Sequence, residues 1–322
     1  MLFTLNPNLI SDPILQSPDV SSLRHLRIHS DVTAGILWNF IDKCAPTHFS
    51  LELLDEIRLV QSALDVGDIG PVRSEISRKV KYLVFGSQRE DVFSLGGDLA
   101  LFRHLILNRN REGLSLYAKR ATDAVYHHST NSNGILTFSL VKGVAMGGGF
   151  EAALAGNVLV AERGSRFGFP ESLFGLFPGM GAFTFLRKRV GAPLAKEIIV
   201  SGRTYTAETL RDLGVVDILA EKGEGEKAII MYVKKLNSNQ GISAFYRAVE
   251  KTDRVSLQEL YAISAEWIEA ALNLEKVHIS RIEKLLASQK RNFNRGPGDL
   301  QTAQTQIAER EGTSVRKSHA MM

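Results

Sequence analysis

The chain has 322 residues, 44% hydrophobic and 23% charged, which is ample material for a globular core and excludes a disordered or fibrous chain. Its net charge of +4 sits mostly between Lys290 and Met322, where six basic residues stand against three acidic ones. The body is therefore nearly neutral and lacks the basic stripe of a nucleic-acid binder, no run approaches the ~20 apolar residues of a membrane span, and the single cysteine, Cys44, excludes an internal disulfide and fits a reducing cytoplasm.

Residues 1–25 are rich in Pro, Ser and Asn and predict an irregular lead-in. No basic segment followed by an apolar run opens the chain, so no signal peptide is expected. Residues 26–40 alternate enough for one or two strands. Ser50 is placed to cap a helix carrying Leu54, Ile57, Val60 and Leu64 at helical spacing. Residues 67–72 read as a turn, 80–85 as a buried strand, and 112–128 as a helix with Leu114, Tyr117, Ala121, Ala124 and Val125 on one face. A second buried strand over 135–141 runs into a triple glycine. A brief helix over 151–155 and a strand over 158–161 follow, and a helix and a strand between 206 and 220 close the core. Strand, glycine-rich turn and helix repeat twice before position 160, an α/β pattern. From Ser256 the chain turns helical, with Leu260, Ile263, Trp267, Ala271 and Leu274 on one stripe, and residues 291–322 predict a disordered basic tail. The expected division is thus a lead-in to residue 25, a core over 26–230, a helical region over 231–290 and the tail.

Three short pieces carry chemistry. Phe93-Ser94-Leu95-Gly96-Gly97-Asp98 comes first, and Gly147-Gly148-Gly149-Phe150-Glu151 follows. Phe167-Gly168-Phe169-Pro170-Glu171 then leads to Phe177-Pro178-Gly179-Met180-Gly181, and the two glutamates lie 20 positions apart. Backbone N–H groups at glycines approach a ligand closely, and two of them aimed at one oxygen stabilise negative charge without reorganising. Two carboxylates beside them serve as base and acid if their surroundings split their pKa values. Phe150 and the stretch from Gly168 to Pro170 supply apolar neighbours for that purpose.

In this order and spacing the three pieces resemble the crotonase (enoyl-CoA hydratase) superfamily, strongly over residues 80–220 and more weakly elsewhere. Within it, the runs from Gly96 to Phe102 and from Leu176 to Ala182 look most like the diffusible signal factor synthases, which make cis-2-unsaturated fatty acid signals. The resemblance implies a spiral of β-β-α turns followed by helices that close the pocket and support a trimer or hexamer. It implies oxyanion donors at Gly97 and Gly148, with Gly147 a close competitor for the second, and catalytic carboxylates at Glu151 and Glu171. Many members lack one or both glutamates, whereas this chain has both, as hydratases do. A typical hydratase tends to carry Ala where Gly97 stands.

The implied chemistry is dehydration of a 3-hydroxyacyl thioester. Glu171 takes the alpha proton, the oxyanion hole holds the enolate, and Glu151 protonates the leaving hydroxyl. Thioester hydrolysis by the same carboxylates would release the signal. No cofactor is expected beyond the thioester carrier, acyl carrier protein or coenzyme A. A sensor kinase is a conceivable regulator of such an enzyme, though no residue indicates one. The alternatives are an enoyl-CoA hydratase of fatty-acid oxidation and a non-catalytic RNA-binding or scaffold protein of the same fold.

Met146, Met180 and Trp267 are candidates for an acyl pocket, each also readable as ordinary core. His104, His127 and His128 lack metal-ligand partners at useful spacing and read as surface or helix residues, and no P-loop or dinucleotide fingerprint is present. Arg103, Arg109, Arg111, Lys119 and Arg120 form either a solvated helix face or a dock for an acidic carrier protein or coenzyme A phosphates.

Overall fold

The computed structural model describes residues 22–66, 80–130 and 134–293. The expected turn at 67–72, nearly all of the lead-in and the tail beyond Phe293 lie outside these residues.

The core is built from three successive β-β-α units that alternate between two sheets. In the first, strands β3 (Tyr82–Ser87) and β4 (Val92–Ser94) lead to helices α2 (Leu99–Leu107) and α3 (Arg111–Ser129). In the second, β5 (Leu136–Val141) and β6 (Val144–Met146) lead to α4 (Gly148–Ala155). In the third, β7 (Val158–Glu162) and β8 (Arg166–Gly168) lead through a 3-10 turn, Pro170–Phe174, to α5 (Ala182–Val200). The first strand of each unit joins the larger sheet and the second joins the smaller one. The hairpin β1 (Leu26–Asp31) and β2 (Ile36–Ile41) flanks the larger sheet on one side. Beyond α5 come β9 (Thr204–Thr206), α6 (Ala207–Asp212) and β10 (Ile218–Ala220), and the sheets close as β1-β2-β3-β5-β7-β10 and β4-β6-β8-β9. Only the terminal pairs β1/β2 and β8/β9 are antiparallel.

The long strands are apolar runs because both faces of the larger sheet are covered. Alternation sends Leu83, Phe85 and Leu159 toward the helices α1 (Leu51–Val66), α3 and α4. It sends Tyr82, Val84, Phe138 and Val160 toward Ile229, Val233 and Leu236 of α7 (Gly225–Ser238). The four strands of the smaller sheet have only three residues each, too short for a period in sequence, and went unexpected there. So did α2, a nine-residue helix capped by Asp98, whose carboxylate accepts from the Leu101 N–H at 2.9 Å. The cap expected at Ser50 is present, with Leu53 N–H donating to its hydroxyl at 3.2 Å.

The C-terminal helices begin earlier than Ser256. α7 and α8 (Gln240–Thr252) precede α9 (Leu257–Leu272) and α10 (Lys276–Phe293). α9 packs along α3, while α10 lies over α2 and the 3-10 turn. No helix among the described residues is long and apolar enough to cross a membrane.

Candidate active site

Two strand ends of the smaller sheet supply the glycine N–H groups. At the end of β6 the backbone turns at Gly147, whose φ of 53° suits glycine, and α4 starts at Gly148. Gly147 N–H is consumed by the β6–β8 ladder, donating to Gly168 C=O at 2.9 Å. Gly148 N–H, at the first position of α4, has no acceptor among the described residues, and neither has Gly97 N–H. Of the two glycines competing for the second donor, the free N–H is that of Gly148. The two arms meet, since a Cβ built on Gly148 would lie 3.6 Å from Gly97 N and one built on Gly96 would lie 3.1 Å from Gly148 N.

Glu151 and Glu171 reach the same cleft from different elements and are held in different ways. Glu151, in the first turn of α4, is 1% exposed. Its Oε1 accepts from Met180 N–H at 2.7 Å and from Ala182 N–H at 3.0 Å. These donors belong to the turn that starts α5, where Gly181 adopts a φ of 112°. Burial pushes the Glu151 carboxyl up to about 7, and the N–H groups of Ala182, Met180 and Gly181 hold it from rising further.

Glu171 sits in the 3-10 turn with its Oε2 buried and unpartnered among the described residues. Burial first, and then repulsion from Glu151, push it up to about 8. A single proton shared by the pair therefore rests on Glu171, while the N–H groups at the start of α5 favour the ionised form of Glu151. Of the aromatic neighbours expected to split the pair, Phe150 and Phe169 are buried and stacked on each other at 4.7 Å. Both carboxyls are raised by burial; Glu171 is raised further by repulsion from Glu151, while three backbone N–H groups hold Glu151 down. Gly147 makes room for this arrangement, since a Cβ there would meet Glu171 Oε1 at 2.4 Å.

The cleft brings together every site residue expected from sequence: Gly97, Gly148, Glu151, Glu171, Met146, Met180 and Trp267. Met180 packs against Gly148, its sulfur 3.0 Å from where a Cβ on that glycine would stand. Trp267 serves both readings at once, 7% exposed on the apolar stripe of α9 and lining the cleft. Sequence reasoning missed Phe102, Tyr117 and Leu285 as wall residues. Phe102 lies edge-on to Tyr117 and Trp267, with ring centroids 4.7 and 5.1 Å away. A Cβ at Gly97 would fall 2.5 Å from the Phe102 ring, so here that ring fills the space an alanine methyl would need.

The basic cluster is spoken for. Arg103 pairs with Glu283, Arg111 with Glu269, Lys119 with Asp123 and Arg120 with Asp55, while Arg109 donates to Leu272 C=O. Acidic neighbours thus pair with four of the five cations that a carrier-protein dock would use. His128 is a core residue rather than a surface one: it is 5% exposed, bonds Ser139 Oγ at 3.1 Å, and burial lowers it to about 4. Among the described residues no cluster of three or more His, Cys, Asp or Glu could hold a metal, and Cys44 is exposed.

The family model for enoyl-CoA hydratase/isomerase matches residues 72–294. Among curated relatives, a mevalonyl-coenzyme A hydratase of Beauveria bassiana is 42% identical over 83 residues, 26% of this chain and 30% of that protein. The fatty acid oxidation complex subunit alpha of Pseudomonas syringae is 30% identical over 151 residues, 47% of this chain and 20% of that protein. The chain thus spans less than a third of the length of each of these relatives. Among solved structures, an enoyl-CoA hydratase from Bacillus halodurans superposes with a TM-score of 0.68 at 19% identity, covering 81% of this chain and 99% of that one. An enoyl-CoA hydratase/isomerase from Xanthobacter autotrophicus does so at 0.67 and 18%, covering 90% and 99%. These two likenesses establish the fold.

Proposed function

The chain belongs to the enoyl-CoA hydratase/isomerase family, and we propose that it is a hydro-lyase that interconverts 2-enoyl and 3-hydroxyacyl thioesters. The observation that carries this reading is the pairing of two unlike buried carboxylates with two free N–H groups in one cleft. In the hydration direction the thioester oxygen sits between Gly97 N–H and Gly148 N–H. Glu151 takes a proton from water as the oxygen attacks Cβ, the enolate charge settles on the held oxygen, and Glu171 delivers its proton to Cα. Dehydration is the reverse and starts with the proton on Glu151. Glu171 is raised further than Glu151, so that tautomer is the less favoured of the two. No further cofactor enters these steps.

The finer reading is a dehydratase and thioesterase. Acting on 3-hydroxyacyl groups carried by acyl carrier protein, it would release a cis-2-unsaturated fatty acid signal. The runs Gly96 to Phe102 and Leu176 to Ala182 support it, together with the Phe102 ring in place of an alanine methyl at position 97. The absence of a free basic patch on α2 and α3 speaks against carrier docking at that face. An enoyl-CoA hydratase of fatty-acid oxidation draws comparable support from the match to the Pseudomonas oxidation-complex subunit. A cytoplasmic homo-oligomer fits either reading.

The deciding experiment gives the purified chain 3-hydroxyacyl-carrier-protein and 2-enoyl-CoA substrates of matched length, with products read by mass spectrometry. Free cis-2-unsaturated acid from the carrier substrate supports signal synthesis. Hydrated CoA thioester without free acid supports the oxidation hydratase. Turnover of neither overturns the hydro-lyase.

A further inference from the structure

One peptide group stands between the C-terminal helices and the catalytic pair. The Gly179–Met180 peptide donates its Met180 N–H to Glu151 Oε1 at 2.7 Å. Its other end, Gly179 C=O, accepts from Ser264 Oγ on α9 at 3.0 Å. Ser264 Oγ lies 2.7 Å from Thr122 Oγ1 on α3. A carbonyl oxygen has no proton to give, so the Ser264 hydroxyl proton points at Gly179, and Thr122 must donate to Ser264. The result is a single directed chain: Thr122 O–H to Ser264 O–H, to the peptide, to the Glu151 carboxylate. Thr122 and Ser264 are 0% and 5% exposed. Two hydroxyls buried between α3 and α9 cost desolvation that their hydrogen bonds must offset, and they add little to packing. Trp267, one turn further along α9, closes over the same peptide, since a Cβ on Gly179 would meet it at 2.6 Å.

Hydrogen bonding at a peptide's carbonyl polarises it and strengthens donation by its N–H, and successive bonds in low dielectric reinforce one another. We propose that Thr122 and Ser264 are positioning residues that orient the Gly179–Met180 peptide and strengthen its hydrogen bond to Glu151. The proposal deepens the reading above and rests on it only for the role of Glu151 in turnover. The chain favours the ionised carboxylate, so it lowers the pH at which Glu151 titrates. The other ionisable groups facing Glu151 and α4 are Glu171 from the 3-10 turn, Tyr117 and His128 on α3, and Arg189 on α5, which donates to Gly156 C=O at the end of α4. The strands β4, β5 and β6 beside α4 contribute none.

The test reads Glu151 directly in the full chain, by carboxyl 13C NMR titration with its resonance identified by loss in Glu151→Gln. Ser264→Ala should move the midpoint upward by about 0.3–1 pH unit. Thr122→Val should move it the same way by less, and Thr122→Ser, which keeps the donor, should leave it in place. If Ser264→Ala fails to fold, Thr122→Val against Thr122→Ser still decides. Midpoints in folded Ser264→Ala and Thr122→Val equal to wild type overturn the proposal. A shifted midpoint in a protein that turns over no thioester would sustain it while removing the hydro-lyase reading.

Discussion

At the residue scale, the two glutamates differ by what their oxygens touch. Glu151 is tied to the start of α5, and Glu171 keeps one oxygen without a partner among the described residues. Hydration needs Glu151 ionised and Glu171 protonated, so kcat/KM should rise with pH through about 7 and fall through about 8. Glu171→Gln should abolish the falling limb and lower turnover by roughly 10²–10⁴-fold, and Glu151→Gln should do the same to the rising limb; stopped assays across pH read both. Gly147→Ala places a methyl against Glu171 Oε1 and asks an L-residue to hold a φ of 53°, so it should fold less stably and lose at least roughly ten-fold in kcat. Normal turnover there would mean Glu171 works from another position. The glutamates and the glycine arms were legible in the chain because short motifs announce them. What Gly147 is for was not, because it answers to a side chain 24 positions away whose direction no local pattern encodes.

At the scale of elements, the larger sheet and the long helices were legible because burial on both faces writes continuous apolar runs and helical stripes. The smaller sheet was not, since three residues carry no period, and its strands pair with partners separated from them in sequence by whole helices and strands. The loop from the 3-10 turn to α5 shows the cost of that gap. Sequence placed Met180 as a pocket residue, and its side chain does line the cleft, yet its backbone N–H also holds Glu151. Met180→Trp should keep that N–H while filling the cleft. Turnover of long-chain thioesters should then fall relative to short ones by roughly 10–200-fold, read on a chain-length series. An equal loss at every length would place the distal chain elsewhere.

At the scale of the whole molecule, the site is carried at a stability cost whose sign follows from its proton affinity. The folded Glu171 carboxyl titrates at about 8 against an ordinary 4.5, so the native state binds more protons than the unfolded chain across that window. Stability contributed by the protonated carboxyl is present below about 4.5 and is lost as pH rises through about 8. Glu171→Gln should therefore raise Tm by roughly 3–8 °C at pH 9 and by less than ~2 °C at pH 4, measured by scanning calorimetry. A rise equal at both pH values would mean the carboxyl is not held neutral. The central claim, that Glu171 passes a proton to Cα while Glu151 activates water, is tested most directly by hydration of a 2-enoyl-CoA in D2O. The account predicts a 3-hydroxyacyl-CoA carrying one deuterium at Cα, with label and product lost together in Glu171→Gln. A wild-type rate of labelled product from Glu171→Gln, or product without label from the wild type, would contradict it.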